Sequence, residues 1–312
     1  MKKTSATGQP ISRDRRGFLL QPRDVEICEA IHDLRVLSSD HVAALFFPTA
    51  DGAVSTQCRR RLSLLSEAGY IERREQPQTR SDGRRPYLYF LSHAGRQLLV
   101  DELGYEPENI HWQPGYNSVR WPFLEHQLML STIHVGFRLA SCRAGWELAT
   151  WTDDRILREA HTQRVTVQGE DGAARKVTVV PDAYMVLSIG GEHGLYFWIE
   201  ADRGTVTVQA RSLQKRSWSQ RTRAYQAFVR SEACAKLYPT LKIRVLTVTT
   251  GQERLQNLKA ATEHADGKTR YWFTTIDELT PETALDVPIW QIAGRPGRFA
   301  LKQPPAAAGD TR

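Results

Sequence analysis

The chain has 312 residues, 41% of them hydrophobic, with a formal net charge of +7 and four cysteines. That length suits about two domains, and the apolar fraction is enough for packed cores, which excludes a disordered chain. The surplus of base favours anionic partners, nucleic acid first. Met1-Lys2-Lys3-Thr4-Ser5 leads into polar sequence without the apolar stretch of a signal peptide. No run reaches the ~18 apolar residues of a membrane span, so a cytoplasmic location with no membrane partner is expected. Cys28, Cys58, Cys142 and Cys234 lie far apart and form no C-x-x-C. They read as buried thiols rather than zinc ligands or disulfides.

Residues 1–20 are polar and basic and read as a loose arm. Asp24 then caps a helix in which Val25, Ile27, Cys28, Ile31 and Leu34 recur at helical spacing. Ser39 caps a second helix, which Pro48 stops, and Ser55 caps a third, with Gly69 at the position of a helix-ending glycine. Two strand-like runs follow, Tyr70–Arg74 and Pro86–Leu91, linked through Arg80-Ser81-Asp82-Gly83-Arg84-Arg85, whose Asp-Gly is a turn signal. Ser92 caps a fourth helix that Gly104 ends. Three helices, a basic hairpin and a closing helix over residues 21–104 describe a winged helix-turn-helix.

The stretch 105–122, with Pro107, Pro114, Gly115 and Pro122, reads as a linker. A second domain over 123–302 opens with an amphipathic helix from about Phe123 to Arg143. Strands follow near Trp146–Thr150, Arg164–Val167, Val177–Val180 and Leu195–Ile199, then a basic helix from about Val208 to Val229. A buried strand at Leu241–Thr249, a helix near Glu253–Glu263 and a strand at Tyr271–Thr274 close it. The fold class is therefore α+β, with a mixed α/β second domain. The Pro-Pro-Ala-Ala-Ala tail, 303–312, reads as disordered.

On the third helix, Leu62 and Leu65 fall within about 40° of Cys58, with Thr56 and Arg60 on the opposite side. Ser55, Thr56, Gln57, Arg59 and Arg60 thus form a candidate DNA-reading face, since arginine pairs with guanine in the major groove. Arg80, Arg84 and Arg85 at the hairpin tip would reach phosphate or the minor groove. Residues 1–100 hold 16 Lys/Arg against 11 Asp/Glu, a net charge of +5. The plainer alternative is an exposed, solvated arginine face. DNA binding of this kind needs no cofactor.

In the second domain Pro181-Asp182-Ala183 follows one apolar run, and Glu200-Ala201-Asp202 ends another. Glu200 and Asp202 leave a strand on the same face, and Asp182 would come from its neighbour. Carboxylates on apolar strands are costly to bury alone. Asp182 and Glu200 could hold a hard divalent cation, Mg²⁺ if the site is active; the alternative is local pairing with Arg203 or Arg211. His126 and His134, with Glu125, read as structural histidines. The carboxylates resemble the PD-(D/E)xK nuclease pattern, which implies a catalytic set of Asp182, Glu200 and a lysine. Asp202 stands where that lysine belongs; Lys215, Arg211 or Arg221 would have to replace it, and arginine makes a poor base.

The whole layout is similar to the replication-relaxation family of plasmid and mobile-element proteins, over roughly residues 20–250. The resemblance rests on Leu20-Gln21-Pro22-Arg23-Asp24, Arg60-Arg61-Leu62 with Gly69-Tyr70-Ile71, and Leu91-Ser92-His93-Ala94-Gly95. It continues through Glu125-His126, Pro181-Asp182-Ala183, Glu200-Ala201-Asp202-Arg203-Gly204-Thr205, and Arg221 four residues before Tyr225. It implies a winged-helix DNA-binding protein serving replication, mobilisation or transcriptional control, with a nuclease-like second domain that does not catalyse. The partners it implies are double-stranded DNA, a replication initiator or relaxase, and a second copy of the chain. A Mg²⁺-dependent endonuclease using Asp182 and Glu200 is the alternative.

Overall fold

The computed structural model describes residues 19–302, apart from 78–82, 84, 111, 169–173, 192, 206–207 and 209–216. The expected tail, the arm up to residue 18, and Arg80, Arg84, Arg211 and Lys215 lie outside the described residues. The chain divides into two compact units, Met1–Thr132 and Ile133–Arg312.

The first unit runs α1 (Pro22–Leu34), β1 (Leu37–Ser38), α2 (Ser39–Phe46), α3 (Thr56–Glu67), β2 (Ile71–Arg74), β3 (Leu88–Leu91) and α4 (His93–Leu103). The three strands form an antiparallel sheet in the order β1-β3-β2. Helix α1 starts two residues before the expected Asp24. Pro22 suits the first turn because it has no N–H to satisfy. Asp24 instead reaches back to accept the Gln21 N–H at 2.7 Å. The cap of α2 is Ser38 rather than Ser39: its hydroxyl accepts the His41 N–H at 3.1 Å. Ser55 and Ser92 cap α3 and α4 as their sequences suggest. Gly95 cannot be replaced cheaply, because a Cβ there would lie 2.2 Å from the Tyr70 carbonyl.

Helix α5 (Trp121–Arg143) follows two short 3₁₀ turns, Pro107–Asn109 and Pro114–Ser118. The division between the units falls inside α5, whereas composition alone set the break in 105–122. The reason is local packing: Leu124, flanked by Trp121 and Leu128, joins a core with Val36, Leu88 and Phe90. Ser131 also donates to the Val36 carbonyl at 2.7 Å.

The second unit adds β4 (Glu147–Asp153), α6 (Asp154–His161), β5 (Gln163–Gln168), β6 (Ala174–Val179), β7 (Ala183–Ile189) and β8 (His193–Asp202). Then come α7 (Trp218–Val229), α8 (Glu232–Leu237), β9 (Arg244–Thr249), α9 (Gln252–His264), β10 (Tyr271–Thr275) and β11 (Gln291–Ile292). Six strands form one mixed sheet, β11-β10-β9-β8-β7-β4, in which β8, β9 and β10 are parallel. Strands β5 and β6 pair separately as a hairpin. The helix expected from about Val208 begins at Trp218, behind a Ser217 cap.

Strand alternation sends Trp198, Glu200 and Asp202 to one face of the sheet. There Trp198 stacks on Tyr225 and Phe228, with ring centroids 5.1 and 5.6 Å apart. These rings join Val165, Val167, Val245, Leu255, Tyr271 and Phe273 in the main core. Among the described residues no helix is long and apolar enough to cross a membrane. Cys28, Cys58 and Cys234 are buried as expected, but Cys142 is exposed; all four are free thiols.

One ion pair ties α3 to α1. Arg61 Nε donates to Asp24 Oδ1 at 2.6 Å and its Nη2 also meets Oδ2; the Asp24 side chain is fully buried. Stranding a buried charge costs about 3–5 kcal/mol, against about 0–1 kcal/mol for an exposed pair. Arg143–Glu282 is such an exposed pair, each side chain more than half open to solvent. Asp24→Asn is therefore expected to lower stability by about 3 kcal/mol in chemical denaturation. A loss no larger than that of Glu282→Gln would refute the assignment.

Candidate functional site

Two groups of sequence-selected residues come together, one in each unit. In the first, the Ser55 hydroxyl is committed to capping α3, accepting the Cys58 N–H at 3.1 Å. Cys58, Leu62 and Leu65 are buried, while Thr56, Gln57, Arg59 and Arg60 are exposed. The next arginine, Arg61, turns inward to Asp24. Beside the hairpin, Arg73 lies 4.8 Å from the Tyr87 ring centre and Arg74 donates to the Asn117 carbonyl at 3.1 Å. Arg85 is half-buried.

In the second unit, Asp182 does not end a strand as expected. Strand β6 stops at Val179 because it belongs to the separate hairpin, and Asp182 immediately precedes β7 after Pro181. The antiparallel register, Ala183 opposite Ile199, brings Asp182 beside Glu200. The Asp182 N–H donates to the Ile199 carbonyl at 3.1 Å, and Asp182 Oδ2 accepts the Ala201 N–H at 2.9 Å.

Glu200 is 1% exposed. Its Oε2 lies 2.7 Å from Arg221 Nη1, and its Oε1 accepts the Tyr225 hydroxyl. Arg221 and Tyr225 reach it together because residues four apart share one side of α7. The same guanidinium extends Nη2 to within 3.8 Å of Asp182 Oδ1 and donates to the Val180 carbonyl at 3.4 Å. Burial pushes the Glu200 carboxyl up to about 8, against the opposing pull of Arg221. The Tyr225 hydroxyl is held well above the usual phenol range, by burial first and then by Glu200.

Asp202 ends β8 next to Thr249, which ends the parallel β9. Arg254, in the first turn of α9, holds it with two bonds, Nε to Oδ2 and Nη2 to Oδ1, both 2.8 Å. Thr249 Oγ1 and the Gly204 N–H donate to Oδ2 at 2.9 and 3.1 Å. Two-pronged arginine–carboxylate pairs are the stronger and more directional kind. Sequence reasoning missed Arg254 and Thr249. The available signal was that the strands ending in Asp202 and Thr249 are parallel, so their ends and the helix after β9 must meet.

A divalent ion needs oxygen ligands left open to it. Asp182 Oδ2, Glu200 Oε1 and both Asp202 oxygens accept hydrogen bonds. Glu200 Oε2, which accepts no hydrogen bond, and Asp182 Oδ1 are in ion-pair range of Arg221, at 2.7 and 3.8 Å. Among the described residues no group of three or more His, Cys, Asp or Glu is set to hold a metal. In this arrangement Arg221, Tyr225 and Arg254 engage the three carboxylates rather than leaving them open to a magnesium ion.

The replication-relaxation family matches residues 29–241, more than half of the chain. The chain belongs to the replication-relaxation family. Membership relates it to replication on mobile elements. No curated protein and no solved structure matches it. In this replication-relaxation protein the matched segment takes in α3, Asp182, Glu200, Asp202, Arg221 and Tyr225. Thr249 and Arg254 lie beyond it.

The raised Glu200 value has a consequence for stability. A carboxyl that holds its proton more tightly when folded stabilises most below its free value of 4.5, and that contribution is lost as pH rises through about 8. Thermal melts of the intact chain are expected to fall over that window. Glu200→Gln, which mimics the protonated form, should remove that component; an unchanged pH profile would contradict it.

Proposed function

We propose that the protein binds double-stranded DNA of a plasmid or mobile element and acts in its replication, mobilisation or transcriptional control. The first unit serves as a winged helix-turn-helix, with α3 as the reading helix and the β2–β3 hairpin as the wing. The second unit is a PD-(D/E)xK-like frame whose acidic cluster supports the fold and does not catalyse. The observation that carries this is the split on α3. Cys58, Leu62 and Leu65 anchor one side in the core, while Thr56, Gln57, Arg59 and Arg60 stand in solvent near the helix start. That is the part of a reading helix that enters the major groove. An initiator, a relaxase or a second copy of the chain would act through DNA bound in this way.

A second reading, a Mg²⁺-dependent DNA endonuclease using Asp182 and Glu200, draws on Asp202 and Thr249 lying at the carboxyl ends of parallel strands. Open α/β sheets bind ligands at such ends. It would require Arg221 to give way to the metal, and Lys215 or another group to activate water.

Arg59 and Arg60 are exposed, so replacing them tests recognition with little disturbance of the fold. The Arg59→Ala/Arg60→Ala variant should melt like the unsubstituted chain. In a gel shift on element DNA it should bind at least about tenfold more weakly, as loss of base contacts worth ~1–3 kcal/mol each requires. Equal affinity of the two proteins would overturn the assignment of α3.

A further inference from the structure

Helix α7 has two working sides. Arg221 and Tyr225 point to the carboxylates, whereas Arg223, Gln226 and Arg230 recur at three-, four- and seven-residue spacing on another side. That second side meets the β5–β6 hairpin. Between them runs a groove of about 450 Å³ lined by Thr166, Gln168, Arg223, Gln226 and Arg230, with Val167, Ala227 and Ala265 as its apolar floor. Among the described residues the lining contains two guanidiniums, two amides and a hydroxyl, and no carboxylate. Asp266, the residue after Ala265, is engaged by Lys268 at 3.3 Å.

The hairpin extends the same charge. Val165 and Val167 face the core, so alternation turns Arg164, Thr166 and Gln168 outward, and all three are exposed. The register sets Lys176 opposite Thr166 and Thr178 opposite Arg164, both exposed as well. A strip of Arg164, Lys176, Arg223 and Arg230, interleaved with neutral donors, matches a repeating line of phosphates better than a single small anion.

We infer that this groove between α7 and the β5–β6 hairpin is a second nucleic-acid contact, which grips the phosphate backbone of duplex DNA without reading its sequence. It is distinct from the acidic cluster, which lies on the other side of α7, and from the reading face of α3. The role deepens the DNA-binding reading but does not depend on α3 being the reading helix. Phosphate contacts release counterions, so each one lost lowers the slope of log affinity against log salt by about 0.9.

The test uses the full chain with arginines 223 and 230 changed to alanine, alone and combined with Arg59→Ala/Arg60→Ala. Fluorescence anisotropy follows a labelled duplex of unrelated sequence between about 50 and 200 mM salt. The Arg223→Ala/Arg230→Ala protein should melt normally, weaken on every duplex alike, and show a slope smaller by about two, in both backgrounds. Arg223→Glu/Arg230→Glu should weaken binding further. An unchanged slope and affinity for both groove variants would overturn the groove while leaving α3 standing. Loss confined to the groove variants, with α3 changes silent, would uphold the groove and remove α3. No binding by the unsubstituted chain would remove both.

Discussion

The second unit depends on where one guanidinium sits. The sheet places Asp182 and Glu200 side by side at the edge of an aromatic core, an environment that disfavours two neighbouring negative charges. Arg221 lies 2.7 Å from one carboxylate and 3.8 Å from the other, and its helix position delivers the Tyr225 hydroxyl to Glu200 as well. The ring of Tyr225 stacks on Trp198, so the polar cluster and the apolar core share a residue. Arg254 does the same for Asp202 from α9. Helices α7 and α9 are thus each fastened to β8 by an arginine, with Glu200 and Asp202 as the anchor points.

The run Arg59-Arg60-Arg61 shows how one composition yields two roles. The helix turns by about 100° per residue, so the third arginine points where the first two do not. Arg61 is drawn to the fully buried Asp24 and fixes α3 on α1, which in turn holds Arg59 and Arg60 outward. The proposed reading face on the exposed side and the ion pair on the buried side share the same turn of helix.

Much of this was readable from residue spacing. The helices of the first unit, the hairpin after Gly69, and the pairing of Asp182 with Glu200 all follow local periodicity and strand alternation. What escaped depends on distance along the chain. Arg254 lies 52 residues beyond Asp202, and only the parallel pairing of β8 with β9 brings them together. The β5–β6 hairpin escaped for a similar reason: Val177–Val180 alternates like any strand, and nothing local says that it leaves the main sheet. The caps of α1 and α2 moved from Asp24 to Gln21 and from Ser39 to Ser38, three residues and one, because Pro22 suits a first helical turn and Ser38 caps through its hydroxyl.

With Arg221 and Arg254 engaging its carboxylates, the acidic cluster is proposed to hold the fold together and not to bind a catalytic metal. Incubating the full chain with supercoiled plasmid in Mg²⁺ or Mn²⁺, beside its Asp182→Asn and Glu200→Gln variants, tests this directly. The expected result is no nicking or linearisation by any of the three proteins. Cleavage by the unsubstituted chain that disappears in both variants would contradict it and establish the cluster as an active site.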